Sequence, residues 1–123
     1  MAAKSDRPDK KRFKALFRIY CSNEIALGPG KVELLEHIAE TGSISEAARR
    51  MEMSYNRAWL LVRTMNRSFK QPLVQSSRGG DKYGGAQLTK SGREVLNLYR
   101  ALESKFAAAI KKPVGQIMSR LKN

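Results

Sequence analysis

The sequence predicts a mainly α-helical fold with a small β-sheet, and three observations carry that expectation. The run Ser43–Phe69 reads as two helices joined by a tight turn. A glycine-tipped hairpin follows within residues 73–88. A stripe of apolar residues then repeats at helical spacing from Val95 to Ile110. With 123 residues, of which 41% are hydrophobic, one domain with a modest core is the default.

In chain order, residues 1–12 hold Lys4, Arg7, Lys10, Lys11 and Arg12 around Pro8 and read as a flexible basic arm. Such an arm either tracks phosphates or is a solvated tail. In residues 13–27, Phe17, Ile19 and Cys21 share one parity and Leu16, Arg18 and Tyr20 the other, the period of a strand. Ser22-Asn23 is a turn, and Glu24 to Leu27 a short return strand. Gly28-Pro29-Gly30 breaks the chain before a helix over 31–41, whose buried face is Leu34, Leu35 and Ile38 and whose end is Gly42. His37, among Glu33, Glu36 and Glu40, reads as an exposed helix residue.

In the central run, Ile44, Ala47, Ala48 and Met51 mark one helical face, and Ser43 with Glu46 has capping-box spacing. Ala58, Leu61, Val62, Met65 and Phe69 mark the face of the next helix, capped by Ser54. Only Glu52 and Met53 separate the two, so the helices must cross steeply, and the alanines permit a close approach. The outer side of the second helix carries Tyr55, Asn56, Arg57, Arg63, Asn66 and Arg67. Trp59, beside Ala58 at the edge of the buried face, is expected in the core, with contact to DNA or to the hairpin as the other reading.

Gln71-Pro72 ends that helix. Leu73–Arg78 and Ala86–Leu88 form the hairpin, with the tip at residues 79–85. The glycine-rich tip lacks both a Walker lysine-Ser/Thr ending and the strand-to-helix setting of a dinucleotide fingerprint. A long helix starts at Thr89 or Ser91. Its stripe of Val95, Leu98, Tyr99, Leu102, Phe106 and Ile110 is longer than one small domain covers, and its far half is expected to pair with a second copy. Pro113 is expected to break this helix, leaving residues 113–123 as a short amphipathic tail and 13–112 as the domain.

Lys and Arg number 24 against 11 acids, a formal charge of +13, which points to an anionic partner: DNA, RNA or a membrane surface. Cys21 and His37 are each the only residue of their kind, so neither a disulfide framework nor a metal cluster is expected, and no cofactor. The absence of a signal peptide pattern and of any membrane-length apolar run sets a cytoplasmic default. No paired carboxylates, activated nucleophile or metal set argues for an enzyme.

A helix-turn-helix followed by a two-stranded hairpin is a winged helix-turn-helix, here with an N-terminal strand or hairpin and a long C-terminal helix. The second helix of the pair is placed to enter a DNA major groove. Asn56 suits adenine, and Arg57 or Arg63 suits guanine through paired hydrogen bonds. Tyr55 and Arg67 lie on the same outer side. Ser43, Ser45 and Ser54, near helix N-termini, suit phosphates. Arg78 and Lys82 would bring charge to a wing whose glycines allow close approach. A non-specific basic binder of nucleic acid is the alternative reading.

The segment G-P-G-K-V-E-L-L-E-H-I-A-E-T-G-S-I-S-E-A-A-R-R-M-E-M-S-Y-N-R-A-W-L-L-V-R-T-M-N resembles the DNA-binding domain of ModE-type, molybdate-responsive transcription regulators, and more distantly LysR-type winged helices. The later P-L-V, G-G and G-G-A-Q-L-T-K-S-G elements are similar to the same family's wing and the helix after it. The resemblance spans Phe13 to Lys111. It implies a regulator of a bacterium or archaeon, acting on the nucleoid as a homodimer that binds a palindromic operator, with a tie to molybdenum homeostasis. Carried over by position, Ser54, Tyr55, Asn56 and Arg57 open the recognition helix, and Gly79, Gly80, Gly84 and Gly85 belong to the wing. Leu98, Tyr99, Leu102, Phe106 and Ile110 suit the dimer helix. The family's molybdate-binding module has no counterpart in these 123 residues. Asp81-Lys82-Tyr83 also departs from a purely glycine-rich wing tip.

Overall fold

The computed structural model describes residues 11–77 and 85–122. Its elements run β1 (Ile19–Cys21), β2 (Glu24–Leu27), α1 (Pro29–Thr41), α2 (Ile44–Arg50), α3 (Tyr55–Ser68), β3 (Val74–Ser77), β4 (Gly85–Leu88) and α4 (Lys90–Met118). That is the expected winged helix-turn-helix order. The basic arm lies outside the described residues except for Lys11 and Arg12, and so does the hairpin tip. The chain divides into two compact units, residues 16–101 and residues 1–15 with 102–123.

The larger unit holds the core. The β1–β2 hairpin pairs Tyr20 with Ile25 and Cys21 with Glu24, and Ser22 takes a positive φ of 56° at its turn. Helix α1 starts two residues before the sequence expectation because Pro29, whose φ is already helical and whose missing N–H would have no partner there, occupies the first turn. The helix ends at Gly42, φ 71°, whose N–H bonds the Ile38 carbonyl at 2.8 Å. Lys31 is buried along its stem and its Nζ donates to the Ile25 carbonyl, tying α1 to β2. Removal from water pulls its pKa below the usual lysine range, opposed by the Glu24 carboxylate.

Ser43 caps α2 by accepting from the Glu46 N–H at 3.0 Å. The reciprocal half of the expected capping box is absent. The Glu46 carboxylate turns to Arg49, and the Ser43 N–H donates to Thr41 Oγ1 at 3.2 Å. The turn to α3 passes through Glu52 at φ 55°, a left-handed conformation that a non-glycine residue seldom adopts. Ser54 then caps α3, accepting from the Arg57 N–H at 3.0 Å.

Leu34, Leu35 and Ile38 of α1 meet Ala47 and Ala48 of α2 and Ala58, Val62 and Met65 of α3 in one buried cluster. Alanines at the crossing keep the helices close, as their positions in the sequence require. Leu73, Val74, Ala86 and Leu88, from the base of the second hairpin, close the same cluster. That hairpin is antiparallel, with Val74 opposite Leu88 and Ser77 opposite Gly85. Thr89 rather than Ser91 caps α4: its Oγ1 accepts from the Gly92 N–H at 2.9 Å and donates to the Pro72 carbonyl at 2.7 Å. Gly92 is required here, since a Cβ would lie 2.1 Å from the Leu73 carbonyl oxygen.

Two expectations for α4 need correction. Tyr99 is not an interface residue: it is 3% exposed, and its hydroxyl donates to the Phe17 carbonyl at 2.8 Å. Pro113 does not break the helix, which continues to Met118. Proline forfeits one hydrogen bond, to the Ala109 carbonyl. That carbonyl belongs to an exposed residue, and the alanines and lysines before Pro113 favour helix strongly. Residues 113–118 are therefore helix rather than a separate tail. In the smaller unit, Leu102 and Ile117 are exposed, and Phe106 and Ile110 are half-buried. No described helix is long and apolar enough to cross a membrane.

Candidate nucleic-acid interface

Helix α3 is held by its apolar side. Ala58, Val62 and Met65 are buried, and Tyr55, Asn56, Arg57, Leu60, Arg63 and Arg67 lie on exposed positions. Beside it a cleft of about 790 Å³ opens between the Thr41–Ser45 loop, the Tyr55–Trp59 turn of α3, and the hairpin residues Val74, Gln75, Ser76, Gly85 and Ala86. The cleft is framed by backbone bonds. The Ala86 N–H donates to the Gly42 carbonyl at 2.9 Å, which fixes β4 to the loop before α2. Gly85 sits close enough that a Cβ there would be 3.0 Å from the same oxygen.

The expected site residues divide by place. Ser43, Ser45, Tyr55 and Trp59 line the cleft, and Val62 forms part of its floor. Asn56, Arg57 and Arg63 stand on the outer side of α3, and neither arginine makes an ion pair with a described residue. Arg67 is on that side too, yet its guanidinium lies 2.6 Å from the Glu24 carboxylate of β2. Arg78, Gly79, Gly80, Lys82 and Gly84 lie outside the described residues.

Two side chains sit differently from expectation, and a third had none. Trp59 is not in the core: it is 42% exposed and forms a wall of the cleft. Its helical angle is near the edge of the buried face, and the hairpin base, filled by Leu73 and Val74, leaves it outside. Asn66 does not face solvent as part of a reading surface. Its Oδ1 accepts from the Leu73 and Val74 N–H groups at 2.8 and 3.1 Å, and its Nδ2 donates to the Val74 carbonyl at 3.0 Å. It is the clamp that joins α3 to the hairpin. Leu60, which sequence periodicity leaves unassigned, is exposed beside Asn56. The signal for it was present, because it is the one large aliphatic residue of α3 off the buried stripe.

The cations of α2 are engaged locally. Arg49 pairs with Glu46, and Arg50 lies 2.6 Å from Glu40 of α1. His37 Nε2 is 3.6 Å from Glu33, and its Nδ1 is buried without a hydrogen-bond partner. Among the described residues no group of three or more His, Cys, Asp or Glu is placed to hold a metal ion.

Comparison with known proteins agrees with this geometry. The sequence pattern of the bacterial regulatory helix-turn-helix proteins of the lysR family matches residues 30–93, from the first turn of α1 to the first turn of α4. The chain belongs to that family. Within this lysR-family helix-turn-helix chain, 99 residues are 39% identical to the molybdenum transport protein ModE of Azotobacter vinelandii, covering 80% of the chain and 37% of the relative. Over 87 residues it is 36% identical to the DNA-binding transcriptional dual regulator ModE of Escherichia coli K12, covering 71% of the chain and 33% of the relative. The resemblance to ModE-type regulators is thereby shown, and the chain spans about a third of the length of the curated relatives it matches. Among solved structures, the fold is shared with the CbnR_DBD–DNA complex, at a TM-score of 0.54 and 19% identity, over 71% of this chain and 95% of that one.

Proposed function

We propose that this chain is the DNA-reading part of a sequence-specific transcription regulator. The observation that carries this is the division of α3: one side locked into the core, the other presenting Asn56, Arg57 and Arg63 to solvent. In this reading α3 enters the major groove. Asn56 pairs with adenine, and Arg57 or Arg63 with guanine. Ser43, Ser45 and Ser54 contact phosphates from helix N-termini, and Tyr55 borders the base edges. The hairpin lies along the backbone or minor groove, with Arg78 and Lys82 adding charge. The chain acts by binding rather than by catalysis, in the cytoplasm on nucleoid DNA.

A homodimer on a palindromic operator completes the proposal, with Leu98 and Leu102, both exposed on α4, offered for pairing. Both relatives compared above carry the name ModE, one of them described as a molybdenum transport protein, and this supports a tie between the regulated genes and molybdenum supply. Footprinting against competitor DNA tests the core of the proposal. A protected site that survives excess random duplex supports it. Equal affinity for every duplex would leave a non-specific binder driven by the +13 charge. Chromosome-wide occupancy with and without molybdate tests the metabolic tie.

A further inference from the structure

The outward side of α3 holds a residue for which hydrogen-bonded base reading has no use. Leu60 is 60% exposed, one turn after Asn56 and with Arg63 next along the same side. At the helical angle it lies about 160° around the axis from Val62 and about 40° from Asn56. It therefore adds nothing to the core, and it places an aliphatic surface in the middle of a polar one.

The major-groove edges of base pairs offer donors, acceptors and one apolar group, the 5-methyl of thymine. We infer that Leu60 reads a thymine 5-methyl group, so that A·T pairs are specified by an apolar contact as well as by Asn56. This rests on the proposed placement of α3 in the major groove. Charge on the page selects DNA as the occupant. Leu60 is bordered by Arg57 and Arg63, so self-association through this face would bring like charges together. Four residues along a helix rise about 6 Å, close to two base-pair steps of 3.4 Å. The adenine under Asn56 and the thymine under Leu60 thus fall within about two base pairs of each other.

The test begins with the full chain selecting duplexes from a random pool. Each thymine of the enriched half-site is then replaced by deoxyuridine, which removes only the methyl group, and Kd is measured by fluorescence anisotropy at fixed salt. At least one replacement should weaken binding about fourfold, the worth of one buried methyl-sized group. Leu60→Ala, at an exposed position, should keep its melting temperature and bind the thymine and deoxyuridine duplexes alike at that position. If every deoxyuridine duplex binds as tightly as its parent, the inference fails and the regulator reading stands. It fails equally if the difference persists undiminished in Leu60→Ala. A pool that enriches no sequence removes the regulator reading and this inference together.

Discussion

The two ends of α3 use the same kinds of side chain for opposite ends. At its start, Asn56 and Arg57 reach solvent, and only the Ser54 cap and the buried Ala58 anchor them. Near its finish, Asn66 holds the hairpin through three hydrogen bonds and Arg67 pairs with Glu24. An asparagine or arginine on a recognition helix is thus no guide to contact with a partner. What separates the two is whether another element of the same chain supplies complementary groups within reach. Among the described residues the first turns have none, and the last turns have β2 on one side and β3 on the other.

The most severe way to break this contrast is Asn66→Leu. It leaves the Leu73 and Val74 N–H groups without their acceptor, and should cost about 2–4 kcal/mol of stability by urea unfolding with the m-value unchanged. Asn56→Ala should do the reverse. Unfolding should shift by less than about 0.5 kcal/mol, whereas discrimination against the wrong base at one operator position should fall by about 1–3 kcal/mol in competition binding. Ser54→Ala sharpens the comparison from between: losing the cap should cost about 1 kcal/mol, and binding should weaken with it because the first turn frays.

The smallest effect lies on the support behind α3. The Arg100 side chain donates to Glu36 at 2.7 Å and holds its carboxyl below the usual carboxylate range, partly opposed by burial. Because the folded pKa is depressed, the stabilisation is full above the ordinary carboxylate value and is lost as pH falls through the depressed one. Both side chains are more than a third exposed, so solvent weakens the effect. Glu36→Gln should flatten the acid limb of the melting-temperature profile slightly and leave the neutral region nearly unchanged.

Much of this was legible in the order of residues because each helix writes its buried side as a repeat. Ile44, Ala47, Ala48 and Met51, and then Ala58, Val62 and Met65, needed only the helical period. The hairpin was legible because residues 79, 80, 84 and 85 are glycines between two apolar stretches. Side chains at the edge of a face were harder. Trp59 and Asn66 sit on the same border of α3, and only the position of the hairpin decides that one is left out and the other drawn in. Tyr99 lies on the α4 stripe in register with Leu98 and Leu102, and periodicity does not distinguish a chain's own core from the surface of a second copy. Pro113 misled for another reason: a proline rule describes the loss of one bond, and an exposed helix rich in alanine and lysine outlasts that loss.

Gly42 has a wider reach than the end of one helix. Its left-handed turn sets Ser43 at the start of α2, and its carbonyl holds Ala86 of the hairpin. The distance from the first turn of α2 to the hairpin base is therefore a built-in gauge, with both jaws mounted on a single peptide. Inserting one residue between Thr41 and Ser43 would re-aim both jaws together. The spacing is preset by the chain rather than adjusted by whatever it grips.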